Sequence, residues 1–174
     1  MGILELPPGD EGLEYVNVVI EICEGSNNKY EYDKAHGVFK LDRVLYSAVH
    51  YPLEYGFIPQ TLGSDGDPLD AMVKTTSPTF PGCVIEGRPI GVLYMVDQNE
   101  EDEKILCVPT EDPRFEGVSD VSGIKPHLLK EIEHFFQTYK QLEKKSVKTM
   151  GWGGVEEARK IVRAAIERYS APTA

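Results

Sequence analysis

Cysteine, tryptophan and histidine are scarce in this chain, at three, one and four among 174 residues. Cys23, Cys83 and Cys107 are odd in number and widely spaced, and no two form a C-x-x-C pair. A disulfide framework and a zinc ribbon are therefore not indicated. The expectation is reduced, mostly buried thiols in a cytoplasmic protein. Long apolar runs are missing too, and the stretch around Pro89 to Val96 is far too short to span a bilayer. The first eight residues lack a basic segment and a continuous apolar run, so they do not read as a signal peptide. Leu6 stands where a myristoylation signal would want Ser or Thr. Positive charge is also in deficit: 18 Lys and Arg face 29 Asp and Glu, a formal −11. A nucleic-acid or anionic-membrane partner would need a basic face, and this balance argues against both. A phosphorylated substrate stays open if metal ions carry it in.

What is present is an ordinary globular composition, 41% hydrophobic and 27% charged. A chain of this length buries roughly 70% of its unfolded surface and needs no staple. No linker or repeat interrupts it, so residues 1–174 read as one α+β domain. The first two thirds are cut by Gly and Pro into short apolar runs. Residues 14–22 alternate, with Val16, Val18, Ile20 and Ile22 on one face. After the turn at Gly25-Ser26-Asn27-Asn28, residues 29–33 alternate again, which predicts a hairpin. Further strands are expected near 38–45, 53–58, 69–75, 84–96 and 104–109. Short strands at this spacing predict a closed or nearly closed antiparallel barrel. The period then changes. Pro126 suits a helix start, and Leu128, Leu129, Ile132, Phe135, Phe136, Tyr139 and Leu142 recur at helical spacing. A Gly-rich turn at 151–154 separates this helix from a second, beginning near Val155. Both helices should pack on the barrel.

Chemistry concentrates in Asp65-Gly66-Asp67-Pro68-Leu69-Asp70. Three carboxylates within six residues repel one another unless a cation or solvent separates them. Carboxylate oxygens are the ligands that Mg²⁺ prefers. A solvated Asp-rich turn would look the same. An EF-hand is excluded, because Leu69 and Asp70 occupy its Asp/Asn and Gly positions and Thr76 replaces its terminal Glu. A dehalogenase-type D-x-D nucleophile would need a buried strand just before it and a run of βαβ units. A second acidic run, from Asp97 to Glu103, follows the apolar strand and reads either as a polar hairpin tip or as part of the same site. Cations stand among the acids at Lys29, Arg43, Lys104 and Lys140. The Tyr51-Pro52-Leu53-Glu54-Tyr55-Gly56 segment can present two hydroxyls together, although core packing claims either Tyr equally well.

Taken in order, Glu21, the Lys29-Tyr30-Glu31 step, Asp42-Arg43, Tyr51 to Gly56, Asp65 to Asp70, Asp97 to Lys104 and Tyr139-Lys140 form a pattern. It resembles the family I soluble inorganic pyrophosphatases, in their short prokaryotic form, over roughly residues 6–169. The resemblance implies an OB-like five-stranded antiparallel β-barrel with two C-terminal helices packed on it. It also implies Mg²⁺-dependent hydrolysis of pyrophosphate to two orthophosphates, with several ions per site and no covalent intermediate. Asp65, Asp70 and Asp102 then match ligands of the two metals that activate water, and Asp97 with Asp102 matches the holder of a further ion. Glu21 and Glu31 match outer carboxylates, and Asp67 matches the acceptor of the nucleophile's proton. Lys29, Arg43, Tyr55, Lys104, Tyr139 and Lys140 match phosphate contacts, with Tyr51 in support. The short form implies a homohexamer, a dimer of trimers, with His134, Phe135 and Phe136 as candidates for part of the contact. Gln98 and Thr138 depart from the pattern, where an acid and a second His are common. Two rivals remain at this level: a non-catalytic binding module with the same ligands, and a phosphatase of organic phosphates.

Overall fold

The computed structural model describes residues 2–171. Strand β1 (Val16–Ile22) leads into the hairpin β2 (Asn28–Asp33) and β3 (Val38–Val44), then β4 (Glu54–Phe57) and β5 (Asp70–Val73). Next come the long β6 (Val84–Asp97), the short β7 (Glu100–Glu101) and β8 (Lys104–Pro109). Helix α1 (Pro126–Thr138), strand β9 (Val147–Gly153) and helix α2 (Val155–Ser170) close the described chain. Five strands form a ring in the order β1-β4-β5-β8-β6, with β6 returning to β1.

Four of the ring's five pairings are antiparallel, as expected, but β5 and β8 run parallel. The sheet is therefore mixed. The chain leaves β5, builds all of β6 and only then returns as β8, and such a crossover lets two strands run the same way. Strand β6 is long enough to hold four neighbours, with β1 and β8 toward its start and β7 and β9 toward its end. Strand β9 is the element the sequence pattern did not predict. Its glycines read as a turn, and Gly151 does adopt a left-handed φ of +93°. Yet the exposed length of β6 offers a template, and Trp152 pairs with Leu93 there.

Alternation along the ring strands feeds two hydrophobic clusters. Met72, Leu106 and Val108 enter one, whereas Ala71, Val73, Ile105 and Cys107 enter the other. Helix α1 seals the first with Ile132, Phe135 and Phe136, and α2 seals the second with Ala158, Val162 and Ala165. Removing a side chain such as Phe136 would cost about 3–5 kcal/mol. The apolar stripe read from the sequence overran the helix. The Tyr139 N–H caps α1 on the Phe135 carbonyl, and Leu142, in the following one-turn helix, is exposed. The chain must turn there because Tyr139 and Lys140 serve the cleft described next.

Two backbone features aim the site. The β1–β4 register shifts between Ile20 and Ile22, so Glu21 is the extra residue of a bulge. Opposite it, Gly56 lies so close to β1 that a Cβ would meet the Val19 carbonyl oxygen at 1.8 Å. No helix among the described residues is long and apolar enough to cross a membrane.

Candidate active site

One end of the ring opens into a cleft of about 320 Å³. Both acidic segments reach it. Asp65 and Asp67 come from the β4–β5 connection, Asp70 from the start of β5, and Asp97 and Asp102 from the two sides of the β6–β7 hairpin. Glu21 arrives from the β1 bulge, and Lys29 and Glu31 from β2. Tyr55, Lys104, Tyr139 and Lys140 line it as well. Asp65, Asp97 and Asp102 also line a second recess of about 370 Å³, together with Gln98, Glu100 and Glu101.

Local chemistry explains the placement. In the acidic turn, Gly66 takes a left-handed φ of +87°, the Asp67 carbonyl accepts from the Gly63 N–H at 2.6 Å, and Asp65 Oδ1 accepts from the Asp67 N–H at 3.0 Å. In the β6–β7 hairpin, Gln98 and Asn99 both have positive φ, the two-residue turn that matches strand twist. That geometry fills the position where an acid was expected with a turn residue.

The floor is one buried cation among acids. Lys104 Nζ donates to Asp70 Oδ2 at 2.7 Å, Asp102 Oδ1 at 2.9 Å and Tyr55 Oη at 2.9 Å. It also lies 5.3 and 5.4 Å from the ring centroids of Tyr55 and Phe136. Tyr55 in turn donates to Asp70 Oδ2 at 2.7 Å. Burial pulls the Lys104 pKa down, but Asp70 and Asp102 outweigh it and hold the group above its ordinary value. Asp102 is raised by burial, opposed by Lys104 and reinforced by Asp70 and Asp65. Burial also raises Glu21 from its ordinary 4.5 to about 7, although its carboxylate accepts the Tyr32 N–H at 2.7 Å. Both tyrosines, Tyr55 and Tyr139, are pushed up, chiefly by burial, and so stay protonated donors.

The wall carries further ion pairs. Lys140 meets Asp97, Lys29 meets Glu31, and Lys34 Nζ lies 3.3 Å from Asp67 Oδ1. Lys34, Tyr32, Phe57 and Pro68 line the cleft without having been singled out in the sequence. A lysine one residue past the end of a strand carries no pattern of its own. Arg43 and Tyr51 were expected in the site but do not line it. Arg43 is held by Asp42 Oδ2 at 2.6 Å and Glu143 Oε1 at 3.0 Å. Tyr51 is buried between the rings of Tyr55 and Phe135, with centroids 5.4 and 4.7 Å away.

Seven carboxylates line the cleft against four ammonium groups, a formal −3. Among the described residues, no three His, Cys, Asp or Glu side chains are drawn into a closed metal-ligating cluster; the lysines hold several acids apart. The donors are nevertheless all oxygen, and Asp97 Oδ1 is buried with no hydrogen-bond partner. That set fits a hard divalent cation.

The family model for inorganic pyrophosphatase matches residues 18–170. This chain belongs to the inorganic pyrophosphatase family. Among known members, the inorganic pyrophosphatase of Geobacillus stearothermophilus is 55% identical over 155 residues, spanning 89% of this chain and 94% of that one. The Methanosarcina mazei inorganic pyrophosphatase is 54% identical over 153 residues, 88% of this chain and 90% of that one. The crystal structure of the Thermus thermophilus inorganic pyrophosphatase superposes with a TM-score of 0.94 at 46% identity, covering 98% of this chain and all of the other. Coverage of that extent makes this the short, bacterial type of inorganic pyrophosphatase chain. Among the described residues, no Ser, Thr, Cys or His lines the cleft.

Proposed function

We propose that this protein hydrolyses inorganic pyrophosphate to two orthophosphates by direct attack of water, with several Mg²⁺ ions per site. The observation that carries the reading is the charge pattern of the cleft. Lysines stand at its floor and walls, yet acids outnumber them. A phosphate polyanion would be repelled by that surplus of carboxylates unless divalent ions enter with it.

Asp65, Asp70, Asp97 and Asp102 are the candidate ligands, with Glu21 and Glu31 as outer acceptors. Bound Mg²⁺ supplies Lewis acidity, neutralising phosphate oxygens and making water more acidic. Asp67, an exposed acid of that turn, accepts the attacking water's proton at its carboxylate. Lys29, Lys104, Lys140, Tyr55 and Tyr139 donate to phosphate oxygens, and Arg43 reaches them from behind Lys29, its cross-strand neighbour. Because Lys104 stays charged and its partners are fixed by burial, the charge reaching the leaving phosphate meets a preorganised cation.

Residues 1–174 act as one domain in this reading. The free thiols fit a cytoplasmic setting. A homohexamer built from trimers uses the face of α1 that bears His134. The test is orthophosphate release from pyrophosphate with Mg²⁺, its loss with chelator, and comparison with ATP under the same conditions. Rapid release from pyrophosphate and slow release from ATP support the reading. Comparable rates on both would favour an organic phosphatase, and no release would leave a binding module.

A further inference from the structure

The hairpin β2–β3 is a two-stranded sheet of its own, yet it carries Lys29, Glu31 and Arg43. Its Tyr32 N–H donates to Glu21 Oε1 of β1 at 2.7 Å, and each of its ends also carries an ion pair to the rest of the cleft. At one end, Lys34 meets Asp67 in an ion pair whose side chains are 50% and 75% exposed, so it contributes little. At the other end, Arg43 Nε lies 3.0 Å from Glu143 Oε1, and there the Glu143 side chain is only 7% exposed.

Glu143 sits in the one-turn helix Gln141–Glu143, immediately after Tyr139 and Lys140. Its own N–H donates to the Lys140 carbonyl at 3.0 Å, and the Lys145 N–H approaches the same oxygen at 3.3 Å. Lys144 takes a left-handed φ of +58°, so the chain folds back sharply behind Glu143. The backbone of Glu143 is thus tied to Lys140, while its carboxylate pairs in charge with Arg43, whose buried Nε has no hydrogen-bond partner. Its second oxygen, Oε2, is buried with no hydrogen-bond partner. A buried carboxylate with an unsatisfied oxygen is costly in a fold that gains nothing else from it.

We propose that Glu143 is a positioning residue for pyrophosphate binding. It holds the Arg43 guanidinium by this ion pair and so sets the end of the hairpin against the Lys140 turn. With the guanidinium held by charge at its Nε edge, the terminal nitrogens are the donors offered to a phosphate, and Asp42 accepts from Nη1 until substrate competes for it. The proposal rests on the pyrophosphatase reading above and adds to it a residue that touches no substrate.

A double-mutant cycle with Glu143→Ala, Arg43→Ala and the pair tests it, reading KM and kcat for pyrophosphate and calorimetric affinity for non-hydrolysable imidodiphosphate. Glu143→Ala should raise KM and weaken imidodiphosphate about tenfold, the low end for a close charge pair, with kcat changing less than about threefold. In the Arg43→Ala background the same change should add less than about twofold, because the group it positions is gone. Glu143→Gln, which keeps an oxygen for Arg43, should recover most of the affinity, and it replaces Glu143→Ala in the cycle if the alanine variant is unfolded by circular dichroism. Effects that multiply in the double mutant, or a loss confined to thermal stability, would overturn the proposal. A wild-type chain inert toward pyrophosphate overturns the parent reading and takes this one with it. Normal wild-type turnover with uncoupled variants overturns this one alone.

Discussion

Lys104 Nζ lies 2.7 Å from Asp70 Oδ2 at the floor of the cleft, with the lysine 1% exposed. Such a cation cannot be removed without leaving Asp70 and Asp102, 26% and 15% exposed, as partly buried acids short of a partner. Breaking a pair of this kind costs about 3–5 kcal/mol. Lys104→Met should lower stability by that order in urea unfolding with chelator present. The deficit should shrink toward acid pH, because burial already pushes Asp102 up and the variant loses the one neighbour pulling it down. A variant as stable as wild type at pH 8 would contradict the assigned pairing.

Glu21 predicts a pH dependence of the metal-free protein. Its folded pKa is raised to about 7 from the ordinary 4.5, chiefly by burial. Across that window the native state keeps a proton that the unfolded chain has released. The unfolded chain binds fewer protons, so stability falls as pH rises from 4.5 to 7, and the deficit persists above. Glu21→Gln keeps an acceptor for the Tyr32 N–H and removes the titration. Melting curves in chelator should show the variant gaining over wild type at pH 8 and not at pH 4.

Asp67→Asn preserves size and one acceptor oxygen but cannot take a proton. Loss of a general base costs about 10²–10⁴-fold in rate. We expect kcat to fall by that order at neutral pH with imidodiphosphate and Mg²⁺ affinity largely retained, and part of the rate to return at higher pH as hydroxide becomes available. Near-normal kcat would show that Asp67 is not the base, and lost Mg²⁺ affinity would make it a ligand.

Turnover should require Mg²⁺ and be inhibited by Ca²⁺, which takes more ligands at longer distances. Asp70→Ala should lower Mg²⁺ affinity as well as rate, read by calorimetry and by Mg²⁺ titration of activity. Full turnover with Ca²⁺ alone, or unchanged Mg²⁺ affinity in the variant, would count against the ligand assignment.

Sedimentation at micromolar concentration should give a hexamer, weakened by Asp substituted at His134. A fully active monomer would contradict the proposed assembly.

Most of the site was legible because its residues come in short runs with restricted chemistry. Asp65, Asp67 and Asp70 crowd one Gly/Pro turn, and Asp97 and Asp102 bracket a hairpin, so carboxylates in those patterns announce themselves. Lys34 and Glu143 were not legible. Each is an isolated charge whose partner lies 33 residues on for Lys34 and 100 residues back for Glu143. Strand β9 was hidden because glycine has no side chain to mark a period, and only the free length of β6 turns that segment into a strand.

The sequence by itself determined the strands other than β7 and β9, the two helices, the acidic turn and the family pattern, since each depends on local spacing and residue chemistry. Tertiary structure alone decided that β5 and β8 run parallel, that Lys104 lies buried between Asp70 and Asp102, and that Arg43 is held behind the cleft by Glu143. Strand sense, burial and long-range ion pairs depend on where distant segments meet. That is set by closing the ring and by sealing its two hydrophobic clusters with α1 and α2.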